Sequence, residues 1–383
     1  MKKLAIIGGG RMAEIYAIHA KKMGIESHCF SLEEGIVNKK AFDYLHYIDI
    51  LNKPKVLKEC KKISINGVVA TTELTMETAA YVAKYMNLNG IPLSTAEKII
   101  DKYHNRILTQ NIKGLSSPKF SEVSNIDEIN QLNFKYPIIL KPIARGGKQG
   151  VVVVKEKKQL EEAFKYALKG AKGELPILVE EFIDGGIECS VESLSYNGKN
   201  YIIQVTRKVT SGAPHCVELA HHQPANVSKE IRFKIETIVD KILSVLNIKF
   251  GPCHTEIKIK NGEIYLIECN ARPGGDHISY PLTELSTGYS FISGAIEIAI
   301  NEFNGINKNT FNNKYSGVLF VTKQTQELLP LFEECEQYDW LYKKNKISKD
   351  LQTIDHNDGF NINYFIYCDN KIPNEIKEVY KDV

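Results

Sequence analysis

The chain has 383 residues, 43% hydrophobic and 25% charged, with 49 Lys and Arg against 46 Asp and Glu and a net charge of +3. That length allows two or three domains with real cores, and the near balance of interspersed charges excludes a strong electrostatic case for nucleic acid or a membrane surface. No apolar run approaches a bilayer span, and eight cysteines without a Cys-x-x-Cys pair read as reduced residues of a cytoplasmic protein, not as zinc ligands or a disulfide framework.

Met1-Lys2-Lys3 leads into Leu4-Ala5-Ile6-Ile7, a first strand rather than a signal peptide. A helix to Gly24, a strand at His28-Cys29-Phe30, a strand at Gly67 to Ala70 and a helix through Tyr85 follow. Strands alternating with helices predict a parallel sheet of βαβ units over residues 1–95. Gly8-Gly9-Gly10-Arg11-Met12-Ala13 fits the dinucleotide pattern G-x-G-x-x-G/A. A nicotinamide site wants an acid at the end of the second strand, yet that strand runs into Ser31, with Glu33 and Glu34 late. The turn then either packs the helix or holds a substrate carboxylate. Ser94-Thr95-Ala96-Glu97 reads as a cap for one helix through Gln110.

From Pro137 the strands become hairpin-like: Pro137 to Pro142, Gly150 to Val154, Ile177 to Phe182, Glu188 to Leu194, Tyr201 to Val205, and a pair flanking Asn261-Gly262. Helical patterns fall at Gln159 to Lys169 and Lys229 to Leu246. The class is therefore α/β followed by α+β. Lys141-Pro142 and the loop Ala144-Arg145-Gly146-Gly147-Lys148-Gln149-Gly150 form a strand end and a glycine-rich flap, whose backbone N–H groups can close on phosphate. Glu180-Glu181-Phe182-Ile183 and Glu188 can face a base and a ribose, or simply link two strands. Glu218-Leu219-Ala220-His221-His222-Gln223 reads as a loop with an acid and two histidines, catalytic or superficial.

The stretch from Gly262 to Asp276 is the most informative. Glu268, Asn270 and Arg272 alternate at the end of an apolar strand and point one way. A carboxylate beside an amide oxygen suits Mg²⁺, and the guanidinium suits a phosphate or carboxylate. Glu256 lies on the preceding strand. A two-residue Asn-Gly turn would put Glu256 and Glu268 on opposite faces; a three-residue loop, Lys260-Asn261-Gly262, would put them on one. If both bind metal, the expected loop is odd.

Together these segments resemble the ATP-grasp superfamily of carboxylate–amine ligases, over nearly the whole chain to about residue 310, and within it the branch of amino-acid ligases that make dipeptides. The resemblance rests most on Glu268-Cys269-Asn270-Ala271-Arg272-Pro273-Gly274-Gly275-Asp276, with Gly251-Pro252-Cys253-His254-Thr255-Glu256 before it. It implies a Rossmann-like domain over 1–95, a first ATP-grasp subdomain with the flap over 96–182, a second with the metal site over 183–310, and an α+β segment over 311–383 packed on them. It implies that Lys102 and Lys141 meet ATP phosphates, that Gly146, Gly147 and Gly150 belong to the flap, that Glu181 and the Ile183 backbone meet adenine, and that Glu188 meets ribose. Glu256, Glu268 and Asn270 would hold two Mg²⁺, with Mn²⁺ a substitute, and Arg272 would face the transferred phosphoryl group or the tetrahedral intermediate. His221, and with it Asp276, would stand on the substrate side. The activity implied is amide formation through an acyl phosphate, on small-molecule acid and amine substrates, by a homodimer. The alternatives are a ligase or carboxylase of nucleotide or bicarbonate metabolism, and a nucleotide sensor without turnover.

Overall fold

The computed structural model describes residues 1–380. Residues 3–70 form a parallel four-stranded sheet in the order Tyr44–Tyr47, Glu26–Ser31, Lys3–Ile7, Gly67–Ala70. Parallel sheets need both faces covered. One face packs with Val56, Cys60, Val82 and Ala83 of the helices Lys53–Ile63 and Glu73–Met86. The other shares a core with the helices Arg11–Lys22 and Phe291–Ala299, and with Leu194 and Ile203 of the next sheet.

The glycine turn is a packing device. Gly8 has φ +107°, and a Cβ there would sit 2.4 Å from the Thr71 hydroxyl. A Cβ on Gly9 would sit 2.7 Å from the carbonyl of Gly35. The backbone of residues 35–36 thus covers the surface that a dinucleotide pyrophosphate would approach. Only Gly10 of the three faces open space.

The rest is built on two sheets, antiparallel except for the edge strand Leu115–Ser116, which runs parallel to its neighbour. The larger has nine strands, ordered Leu341–Asn345, Asn363–Asp369, Tyr315–Val321, Glu218–Gln223, Lys199–Thr210, Ile187–Tyr196, Gly251–Lys260, Glu263–Asn270 and Leu115–Ser116. The strands after residue 311 therefore extend this sheet rather than forming one of their own. Its alternation is sharp: Cys189, Val191, Ile257 and Ile259 face Ile235, Ile238 and Ile242 of the helix Lys229–Val245, while Glu188, Ser190, Glu192 and Glu256 face the other way. The smaller sheet, ordered Phe120–Val123, Ile177–Glu181, Ile138–Pro142, Val152–Val154, lies opposite and is backed by Leu160–Gly170. The cleft lies between the two.

Three expectations are corrected. The segment 94–110 is two helices, Leu93–Ile99 and Lys102–Thr109; Asp101 breaks it by accepting a hydrogen bond from the His104 N–H at 2.8 Å. The stretch Glu218–Gln223 is a buried strand, not a loop. The hairpin loop is even, since Lys260 pairs with Glu263 across Asn261 and Gly262, both with positive φ. Strand signals were masked at 218–223 because one face of this strand carries charge and the other carries the core.

Candidate active site

An even loop should have separated Glu256 from Glu268, yet they pair directly. The register shifts by one residue between Glu256 and Ile257, so Ile267 is extra and the parity is restored. The carbonyl of Ile267 accepts from Arg106 at 2.9 Å. The same device recurs four strands away. Thr210 pairs with Glu218 and Val209 with Ala220, leaving Leu219 extra. Glu218 is thereby turned onto the face of His221 and Lys208. Two bulges aim two carboxylates into one cleft.

The cleft has a volume of ≈790 Å³ and is lined by both sheets, the flap, the first domain and the loop before the last strand. On the roof, Lys141 Nζ lies 2.5 Å from Glu180, which also holds Arg106. Burial would raise the Glu180 carboxyl, but Arg106 and Lys141 hold it down to about 2. Lys102 and Arg106 stand one turn apart on the helix that Asp101 caps. Lys102 Nζ donates to the flap carbonyl of Arg145 at 2.7 Å and lies 3.2 Å from Glu268.

On the floor, Glu256 touches Lys208 and His254 Nε2, the latter at 3.2 Å, and Asn270 donates to Glu268 Oε1 at 2.9 Å. That bond uses the Asn270 amide N–H, so its amide oxygen remains an acceptor next to the Glu268 carboxylate. Burial would raise the Glu256 carboxyl, but Lys208 and Lys148 hold it well below the usual range. These oxygens are the hard donors that Mg²⁺ takes, and they fit such an ion. Behind them His254 Nδ1 bonds Glu192 at 2.5 Å; Glu192 also takes the Gly274 N–H at 3.2 Å and the Ser279 hydroxyl. One buried carboxylate thus ties the strand Gly251–Lys260 to the Pro273-Gly274 turn.

The flap lies over the cleft. Lys148 Nζ is 2.9 Å from Glu188 and 4.0 Å from Glu256. Glu188, expected at the ribose, is therefore held by a flap lysine. Gly150 packs against Gly170, where a Cβ would fall 2.9 Å from the Gly170 Cα. Glu181, Phe182 and Ile183 line the far end of the cleft.

The near end is closed by the first domain. Arg272 Nε lies 3.1 Å from Glu73, at the start of Glu73–Met86. Beyond it Glu218, His221 and Asp276 bring three potential ligand atoms within 4.8 Å of one another. Lys208 reaches Glu218 at 2.6 Å. His221 Nε2 is 3.0 Å from Glu218, though neither ring nitrogen makes a well-directed hydrogen bond. Burial, with Glu218 nearby, raises the Asp276 carboxyl to about 6.

Of the expected residues, Lys102, Lys141, Gly146, Gly147, Glu181, Ile183, Glu188, Glu256, Glu268 and Arg272 line the cleft together. Asn270, His221 and Gly150 stand one layer behind its wall. The sequence reading missed Arg106, Glu180, Glu73, Lys208 and Glu192. Only the spacing of Arg106 four residues after Lys102 offered a signal.

Residues 134–280 match the ATP-grasp domain. The formate-dependent phosphoribosylglycinamide formyltransferase of Prochlorococcus marinus (strain MIT 9515) is 23% identical over 278 residues, covering 71% of this chain and 70% of that protein. The crystal structure of an L-amino acid ligase from Bacillus licheniformis superposes with a TM-score of 0.80 at 23% identity, covering 100% of this chain and 96% of that one. The biotin carboxylase domain of the Hydrogenobacter thermophilus 2-oxoglutarate carboxylase, with MgADP and bicarbonate, gives 0.73 at 17% identity, covering 96% and 86%.

Proposed function

We propose that this chain, whose residues 134–280 match the ATP-grasp domain, is an ADP-forming ligase that phosphorylates a small carboxylate and joins it to an amine, with an amino acid or similar small acid as donor. The reading rests on one observation: Glu256 and Glu268, with Asn270 bonded to Glu268 behind the wall, stand in a single cleft with Lys102 and Lys141, and Arg272 lies at its near end. Mg²⁺ at that oxygen set, two ions on this reading, would neutralise the polyphosphate and polarise the γ-phosphoryl group. The chain's own residues do the positioning. Lys141 and Lys102 fix the phosphates, and Arg272 holds the reacting carboxylate and the charge that develops on the phosphoryl oxygens.

A donor carboxylate oxygen attacks the γ-phosphorus and ADP leaves; the amine nitrogen then attacks the acyl carbon and phosphate leaves. The amine must lose a proton. Asp276, with its carboxyl raised to about 6, is poised to take it. The flap keeps water from the acyl phosphate.

A plain amine suits the near end better than a phosphorylated one, because Glu218 and Asp276 stand close together there and the Asp276 carboxylate is held by a backbone N–H, that of Gly359 at 3.1 Å. The test is ADP release from Mg-ATP with a panel of amino acids, singly and in pairs. Release that needs both an acid and an amine supports the reading. Release only with phosphoribosylglycinamide and formate, or with bicarbonate, would replace it.

A further inference from the structure

Residues 346–362 join the strands Leu341–Asn345 and Asn363–Asp369 at the edge of the large sheet, yet the tip of this connection reaches the cleft. Its base is fixed. Gln324 bonds both the carbonyl and the N–H of Ile354, at 2.5 and 3.4 Å, and the Asn363 side chain caps Ile347 and Ser348. Its tip is held differently. Gln352, Thr353, Asp355 and His356 are exposed, and only Gly359 of residues 352–360 is buried. Little apolar area holds the tip down, so its position depends on a few polar bonds.

Those bonds go to two functional elements. The Asn357 N–H donates to Gly147 of the flap at 3.0 Å. The Asn357 side-chain oxygen accepts from the Glu218 N–H at 3.0 Å. Two residues on, the Gly359 N–H donates to Asp276. Gly359 has no room for a side chain, because a Cβ would fall 2.8 Å from both the Asp276 carboxylate and the Phe320 ring. Phe360 then packs on His277, with ring centroids 4.5 Å apart, and Asp358, Phe360 and Asn361 line the cleft.

We propose that residues 357–361 are the lid of the amine subsite, that Asn357 latches this lid to the nucleotide flap, and that the lid selects a cationic amine carrying an apolar group. Asp358 adds a carboxylate and Phe360 an apolar wall, which is the chemistry such a molecule needs. The latch makes the amine subsite complete only when the flap is down. This rests on the ligase reading. Asn357 is a positioning residue: it touches the flap and the Glu218 backbone, not the reacting atoms.

The test uses the full chain, with Asn357→Pro and Phe360→Ala as variants and circular dichroism to establish folding. Hydrogen–deuterium exchange is followed in peptides covering 143–151 and 355–361, without nucleotide and with Mg-ADP. In the native protein both peptides should gain protection together. In Asn357→Pro, which removes both the N–H to the flap and the side-chain oxygen, the flap should keep that gain and the lid should lose it. With the acid and amine found active, Asn357→Pro should raise the KM for amine about tenfold, as loss of one or two hydrogen bonds allows, leave the KM for ATP within about twofold, and release several ADP per amide formed. Phe360→Ala should raise the KM most for amines with large apolar groups and leave the flap's exchange unchanged. Exchange at 355–361 that ignores Mg-ADP, or an Asn357→Pro variant with native amine KM and one ADP per amide, overturns the proposal. A native protein that gains no protection from Mg-ADP and releases no ADP with any acid–amine pair overturns the ligase reading, and the lid with it.

Discussion

The roof and the floor of the cleft hold their charges in opposite balance. On the roof, Lys141 and Arg106 share the single carboxylate of Glu180, with Lys102 beside them. On the floor, Glu188, Glu192, Glu218 and Glu256 share Lys208, His254 and the flap lysine Lys148, Glu268 reaches Lys102, and Asp276 takes the Gly359 N–H. A polyphosphate suits the first surface, and the second calls for added cations. Burying so much charge is tolerable only because all of these carboxylates but Asp276 are paired with a cation. On the ligase reading, roof residues would set nucleotide binding and floor residues chemistry, a division that can be broken.

The largest effect is expected on the floor. Glu268→Gln should lower ATP turnover by roughly a thousandfold or more, because a lost anionic metal ligand removes several kcal/mol of transition-state stabilisation. Circular dichroism should be native and the Mg²⁺ requirement should rise. A folded, active variant would sink the metal assignment.

Next comes the roof. Glu180→Gln leaves two buried cations without their anion and should cost about 3–5 kcal/mol in urea unfolding. Because Glu180 is held down to about 2, its contribution is present above the ordinary carboxylate range near 4.5 and is lost as pH falls from there toward 2. The native protein should therefore lose stability across that window more steeply than Glu180→Gln. Parallel acid limbs would contradict the buried ion pair.

A smaller effect should appear at Asp276. Its carboxyl is raised to about 6, so the base form grows as pH rises through that value and the rate of amide formation should rise with it. Asp276→Asn should remove that limb and slow turnover about tenfold to a hundredfold. A limb that survives in the variant assigns the proton to another group.

The smallest is in the flap. Gly147 has φ +66°, and a Cβ on Gly146 would sit 2.9 Å from Glu73. Replacing both by Val should slow turnover severalfold while moving the urea midpoint little, since the loop is on the surface. Normal kinetics in that variant would make the loop a mere connection.

Much of this site was legible in the residues. Glu268, Asn270 and Arg272 could be placed on one face because strand alternation is local, and Lys141 with its glycine loop because punctuation is local. The pairings were not legible. Glu73 meets Arg272 across 199 positions and Arg106 meets Glu180 across 74, and nothing in either neighbourhood names the other. Glu218 was misplaced on a loop because a buried strand with one charged face lacks the usual apolar signal. The Asn261-Gly262 turn was correctly sensed, but the wrong loop length was inferred from it, because a bulge at Ile267 rather than an odd loop brings Glu256 and Glu268 together.

That bulge loosens the link between chain length and a carboxylate's direction. Because Glu256 pairs with Glu268 on one side of it and Ile257 with Leu266 on the other, deleting Ile267 would leave a regular ladder with Glu268 still facing the cleft. Deleting Leu219 would do the same for Glu218. What a deletion would remove at Ile267 is the displaced backbone itself, with the carbonyl that takes the Arg106 guanidinium at 2.9 Å. Replacing Ile267 by another apolar residue keeps that carbonyl and should be tolerated better than removing it.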